Sequence, residues 1–279
     1  MATSKFVFND TSFPVYYIKP EGQIYLNTWH GTPLKTLGKS TTNDFYDIAN
    51  LQKNFVEADY LLYPNEYMMN HMIEDYMLNG ISNNKIMLCG YPRNEIFFDI
   101  DRKNEIKKKL KLEDKQLIAY MPTWRGNVRK VSVENQIKQI EEYLQYIDNN
   151  LKENQIMFVN LHPFVGNKID LTKHTKIQLF LPEYETYDFL NICDILVTDY
   201  SSVFFDYAIT KNKVILFAYD EEESLQERGV YLKLDQLPFK KVNTVESLIE
   251  EINNPEVEDT RDFLEKFCIP APVIGGLLF

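Results

Sequence analysis

The sequence has only three cysteines, Cys89, Cys193 and Cys268, and no two form a C-x-x-C pair. That spacing fits neither a zinc site nor a disulfide framework and leaves buried free thiols of a reducing cytosol. No GxGxxG and no GxxxxGKS/T pattern occurs, so dinucleotide redox enzymes and P-loop NTPases lose their usual signatures. No apolar run approaches the roughly 18 residues of a membrane span, and MATSKFVFND carries no signal-peptide core. Basic residues are in deficit, with a net charge of −11, which speaks against a nucleic-acid partner. Phosphate groups can still be bound by a few well-placed cations.

What is present is enough to build two cores. The 279 residues are 44% hydrophobic and 14% aromatic, a length suited to two Rossmann-sized units. Short β-rich runs alternate with helical patterns, the signature of βα units around parallel sheets. KFVFND, IYLNTW, ADYLLYP and KIMLCGYP read as strands of a first series. EYMMNHMIEDYMLNG has helical spacing, and its Met68, Met69, Met72, Ile73 and Tyr76 stripe reads as core packing.

The charged stretch 101–115 reads as a connecting helix with a solvated lysine face; a membrane-surface role is the alternative. The second series reads as strands at LIAYMPTW, IMFVNLHP, IQLFLP, CDILVTDYSS and KVILFAY, with helices at VENQIKQIEEYLQYIDNNL, YDFLNIC, VFFDYAIT and TVESLIEEINN. Asn243 followed by Glu246 resembles a capping box for the last of these. The expected division is therefore 1–100, a linker helix at 101–115, a second domain at 116–268, and an uncharged tail, IPAPVIGGLLF, at 269–279. The opening directly on a strand leaves the first domain incomplete in this reading.

Four corners could carry chemistry. In CDILVTDYSSVFFDYA an apolar strand ends in Thr198, Asp199, Ser201 and Ser202, and a helix begins at once. Unpaired N–H groups and serine hydroxyls there suit a phosphate; a plain helix cap is the alternative. His162 ends a strand in LHP, where open α/β sheets place their ligands, though a structural histidine fits as well. In MPTWRG, Arg125 offers a bidentate phosphate clamp, while Arg93 in GYPRNE suits either a phosphate or an interdomain salt bridge. In NTWHGTPLK, His30 titrates near neutrality, as a general base should. Gly31 and Thr32 permit close approach of a ligand, and Lys35 supplies charge. His71 and His174 read as structural or solvated.

Five motifs, NTWHGTPLKTLG, GYPRNE, MPTWR, LHP and DILVTDYSSVFFDYA, stand in this order over residues 5–267. They resemble the CDP-glycerol glycerophosphotransferase family, the teichoic acid polymerases, primases and related capsule enzymes. The resemblance implies a GT-B-like α/β fold, two Rossmann-like parallel-sheet domains facing a cleft, the first incomplete here. It implies transfer of glycerol phosphate from CDP-glycerol to a hydroxyl of a polymer or lipid-linked primer, releasing CMP. It carries His30 and His162 over as catalytic histidines, and Arg125, Thr198, Ser201 and Ser202 as positions around the donor diphosphate.

His30 as base and His162 as phosphate ligand follows from geometry, with the reverse assignment open. Gly31, Thr32, Lys35, Arg93 and Asp199 complete the expected substrate-binding set, with no metal and no cofactor beyond the donor. Asp199 and Asp206 also read as hydrogen-bond partners near the turn. The family works at the inner face of the cytoplasmic membrane as peripheral proteins. CDP-ribitol or a nucleotide sugar as donor, or a non-catalytic nucleotide-binding remnant, are the alternative readings.

Overall fold

The computed structural model describes residues 3–41, 48–123, 133–162, 166, 168–221 and 229–268. The chain forms two compact units. The first comprises the described residues of Met1–Pro92, Arg228–Leu232 and Arg261–Phe279, and the second those of Arg93–Glu227 and Lys233–Thr260.

The first unit is built on four parallel strands in sequential order, β1 (Phe6–Asn9), β2 (Ile24–Asn27), β3 (Tyr60–Tyr63) and β4 (Lys85–Leu88). Helix α1 (Ile48–Glu57) links β2 to β3, and α2 (Glu66–Asp75) links β3 to β4. Asn65 caps α2 by accepting the Met68 N–H at 2.7 Å. The methionine stripe of α2 is core, as its spacing predicts: Met68, Met72 and Tyr76 are buried with Phe55, Tyr25, Leu61 and Tyr63. Burying each such side chain contributes roughly 1.5–3 kcal/mol.

The second unit opens with α3 (Ile100–Lys109), which ends well short of Lys115. Its lysines are not all solvated, because Lys107 pairs with Asp194 at 3.5 Å, and Arg102 meets Asp188 through Nε at 3.0 Å. Six parallel strands follow: β5 (Gln116–Met121), β6 (Gln155–Val159), β7 (Ile177–Leu179), β8 (Ile195–Thr198), β9 (Lys213–Phe217) and β10 (Lys240–Val242). Their order is β10-β9-β8-β5-β6-β7. The winding direction reverses between β5 and β8, a topological switch point of the kind that opens a ligand crevice at the carboxyl ends of the strands.

Strands β8 and β9 are buried at every position, which is why they read in sequence as unbroken apolar runs. Alternate residues Ile118, Tyr120, Met157, Val159, Val197, Ile215 and Phe217 pack with α4 (Val133–Asn150) and α7 (Val245–Asn253). The opposite face meets α5 (Thr186–Ile192), where Phe158 and Phe189 lie 4.9 Å apart. Helix α6 (Val203–Tyr207) follows β8, and α8 (Arg261–Phe267) returns to the first unit. The capping box of α7 lies one residue later than expected: Thr244 caps the helix and pairs with Ser247, displacing Asn243 and Glu246 from those roles. Thr244 wins because its hydroxyl reaches the Ser247 N–H at 3.2 Å. The three cysteines are buried, and burial pushes the Cys193 thiol far above its ordinary value. The tail at 269–279 lies outside the described residues.

Candidate functional site

His30 stands just beyond the carboxyl end of β2 and is exposed. Trp29 and Asp10 help to fix its ring. Trp29 stacks on it with centroids 4.2 Å apart, and its Nδ1 lies 2.9 Å from the Asp10 carbonyl oxygen. A carbonyl can only accept, so Nδ1 carries the proton, and the neutral ring has its lone pair on Nε2. Trp29 itself sits at φ +51°, a left-handed conformation uncommon for a bulky residue and worth about 1–3 kcal/mol of strain. The Trp29 N–H donates to Asn27 Oδ1 at 2.9 Å, and the indole packs on Phe55 and Tyr76. Those contacts hold the turn that presents His30.

Gly31 and Thr32 are buried, and the Thr32 hydroxyl accepts from Asn65 Nδ2 at 3.0 Å. The same Asn65 amide donates to the Phe267 carbonyl at 2.8 Å, so one side chain ties together the His30 loop, the start of α2 and the end of α8. Lys35 is half-buried and lies in a short antiparallel bridge with Val230. His71, expected to be structural or solvated, is structural: it stacks on Tyr231 at 3.8 Å, with Nδ1 3.5 Å from Asp75. His174 in the second unit is likewise structural, with a fully buried side chain 3.8 Å from Asp148.

In the second unit the carboxyl ends of β5, β6 and β8 are adjacent, because β8 pairs with β5 and β5 with β6. Thr198 ends β8 fully buried, its hydroxyl donating to Met121 O at 2.7 Å. Asp199 accepts from the Thr123 N–H at 3.0 Å and from the Thr123 hydroxyl, which laces the two strand ends together. Ser201 and Ser202 follow, both half-buried. Ser202 occupies the cap position of α6 but makes no side-chain capping bond, and Ser201 Oγ accepts from the Val203 N–H only at 3.4 Å. Capping therefore leaves the Ser202 hydroxyl uncommitted to the helix. His162 lies exposed beyond β6 on the same carboxyl edge. Arg125 lies outside the described residues.

Arg93 belongs to the second unit and meets a partner there. Its Nη2 and Nε reach Asp206 Oδ2 at 2.8 and 3.3 Å, while Asn94 and Tyr187 donate to the same carboxylate at 3.0 and 2.6 Å. Burial, with that carboxylate beside it, pushes the Tyr187 phenol well above its ordinary value. The salt bridge expected of Arg93 exists, but it closes within one unit. Among the described residues no group of three or more His, Cys, Asp or Glu is arranged to hold a metal ion.

Reading the sequence missed Asn65, Asp75 and Tyr231 as supports of the His30 loop. Asn65 had a visible signal, an asparagine immediately before a helical pattern. Tyr231 had none, since its contacts span 156 and 194 residues.

Residues 1–269 match the family described as CDP-Glycerol:Poly(glycerophosphate) glycerophosphotransferase. The chain is 31% identical over 288 residues to a teichoic acid poly(glycerol phosphate) polymerase of Bacillus spizizenii, covering 96% of this chain and 71% of that protein. It is 30% identical over 277 residues to the enzyme of the same name from Staphylococcus epidermidis, covering 91% of this chain but 38% of that longer protein. The structure of the wall teichoic acid polymerase TagF superposes with a TM-score of 0.79 at 28% identity, over 93% of this chain and 67% of that one. Parallel α/β sheets and a match over nearly every residue agree, and the chain belongs to the CDP-glycerol:poly(glycerophosphate) glycerophosphotransferase family.

Proposed function

We propose that the chain transfers glycerol phosphate from CDP-glycerol to a hydroxyl of a teichoic-acid-type or capsule acceptor, releasing CMP. The observation that carries this reading is the family match over residues 1–269. The acceptor oxygen attacks the phosphorus that bears glycerol and passes its proton to Nε2 of His30. The bond from that phosphorus to the bridging oxygen breaks, and the oxygen leaves with CMP. The Nδ1 contact to the Asp10 carbonyl supports this role, because it sets the tautomer in which Nε2 accepts a proton.

The donor diphosphate lies at the switch point of the six-stranded sheet. There His162 and the Ser201 and Ser202 hydroxyls stabilise the charge that develops on the leaving group; Arg125, outside the described residues, is assigned to the donor diphosphate from its motif alone. Thr198 and Asp199 act beneath them by joining β8 to β5, as their bonds to Met121 and Thr123 suggest. Gly31, Thr32 and Lys35 shape the acceptor-side loop, and Arg93 braces the second unit through Asp206. No metal or cofactor enters this scheme. The acceptor is a polymeric or lipid-linked polyol phosphate, which implies work at the inner membrane face as a peripheral protein; among the described residues no helix is long and apolar enough to cross a bilayer.

Calorimetric titration with CDP-glycerol, CDP-ribitol and a UDP-sugar, alongside CMP-release kinetics, tests the reading. CDP-glycerol should bind selectively, His162→Ala should weaken binding, and His30→Ala should bind normally while losing about 10²–10⁴-fold in kcat. Preference for CDP-ribitol would reassign the donor. Selective binding without CMP release would favour the non-catalytic reading, and no binding to any of the three would refute nucleotide-donor use.

A further inference from the structure

The loop from His30 to Ser40 is held by a second, deeper set of contacts that no sequence motif contains. Residues 229–231 run antiparallel to 34–36: the Thr36 N–H donates to Gly229 O at 3.3 Å, and the Tyr231 N–H to Leu34 O at 2.9 Å. The Tyr231 hydroxyl then makes two bonds at once. It accepts the Leu37 N–H at 2.7 Å and donates to Asp75, a carboxylate only 2% exposed at the end of α2. The other Asp75 oxygen accepts from the Ser40 hydroxyl.

His71 covers one face of the Tyr231 ring, and Tyr67 meets its edge while donating its own hydroxyl to Pro33 O at 3.0 Å. Gly38 lies against the Asp75 backbone so closely that an added Cβ would come within 2.2 Å of the Asp75 carbonyl oxygen, and its φ is +49°. The loop is thus bonded through its main chain at Pro33, Leu34, Thr36 and Leu37, packed against Asp75 at Gly38, and held by the side chain of Ser40.

We infer that Tyr231, acting through Asp75, is a positioning residue for the loop that carries His30, Gly31, Thr32 and Lys35. Its catalytic meaning rests on the transfer reading above. A backbone that must present a base within a fraction of an ångström needs fixed points, because a misplacement of about 1 Å can cost about 10²-fold in rate. The Tyr231 hydroxyl supplies such a point from a part of the chain remote in sequence. Hydrophobic packing of the ring alone would not supply it.

Two variants of the full chain, Tyr231→Phe and Asp75→Asn, test the inference by three readouts. Tyr231→Phe keeps the ring stack on His71 and removes both hydroxyl bonds. Amide exchange at Leu37 should rise about tenfold or more. kcat for CMP release should fall about 10- to 100-fold at temperatures below the transition, while the CDP-glycerol Kd stays near that of the unsubstituted protein and the melting temperature falls by several degrees, because Asp75 and the Leu37 N–H each lose a partner. Asp75→Asn, which keeps an acceptor but no charge, should fall between the two. A merely structural role would lower the melting temperature with little change in kcat of the folded protein. Unchanged Leu37 exchange, or kcat within about twofold of the parent despite faster exchange, overturns the inference. Faster exchange in a protein whose parent releases no CMP would sustain the hold on the loop and sink the transfer reading instead.

Discussion

Replacing Asp206 by alanine removes the acceptor of four hydrogen bonds at once. Arg93 donates twice, and Asn94 and Tyr187 once each, all within 3.3 Å. The ionic part is worth only about 1 kcal/mol, because the Arg93 side chain is 31% exposed and water can take over its solvation. The larger cost falls on Asn94, which is 3% exposed, and on the hydroxyl of the half-buried Tyr187; each stranded donor costs about 1–3 kcal/mol. The expected loss is therefore about 3–5 kcal/mol. For a unit of this size that corresponds to a fall of roughly 6–20 °C in the transition of the second unit. Scanning calorimetry and urea denaturation followed by circular dichroism measure it. Asp206→Asn should cost about half as much, and an Arg93→Met cycle should show a coupling near 1 kcal/mol. A loss below about 1 kcal/mol for Asp206→Ala would refute the bracing role. So would an Arg93→Met protein of unchanged stability that no longer binds CDP-glycerol, which would return Arg93 to the ligand.

Two further predictions concern the cores. Lys213 is 4% exposed and donates to the Glu251 and Asn254 carbonyls at 2.8 Å while paired with the Glu251 carboxylate, so Lys213→Met should cost about 3–5 kcal/mol and adding Glu251→Gln should recover part of it in the same denaturation assay. Burial pushes the phenols of Tyr63, Tyr67, Tyr187, Tyr207 and Tyr231 above their ordinary value, so the folded state keeps protons that the unfolded chain gives up. That stability is intact below pH ~10 and falls as pH rises past it. Absorbance at 295 nm should then show these phenols ionising together with the loss of ellipticity; a smooth titration of all eighteen tyrosines near pH ~10 with the ellipticity unchanged would contradict the burial argument.

The order of strands and helices was legible because parallel strands buried on both faces leave continuous apolar runs, as in ILVT of β8 and KVILF of β9. Strand β10 escaped because it is three residues long and two are lysines. The capping box slipped by one residue because Asn243 and Thr244 are both good caps, and only the backbone decides between them. In the candidate site, the positions of His30 and His162 just past the ends of β2 and β6 were legible. The tautomer of His30 was not, since it depends on the carbonyl of Asp10, 20 residues earlier. The partner of Arg93 was equally hidden, 113 residues away.

The division into units has a practical consequence for anyone cutting this gene. Pro92 looks like the natural place to separate the halves, since the chain passes there from one sheet to the other. A fragment ending at Pro92 would nevertheless lack Gly229–Tyr231 and α8. Its Thr36 and Leu37 amides would lose their acceptors, and the Asn65 amide would lose the Phe267 carbonyl. Such a fragment should express as an aggregating or protease-sensitive species, and grafting 229–232 and 261–268 back through a linker should rescue it. The first unit is one folded object written in three separate passages of the gene.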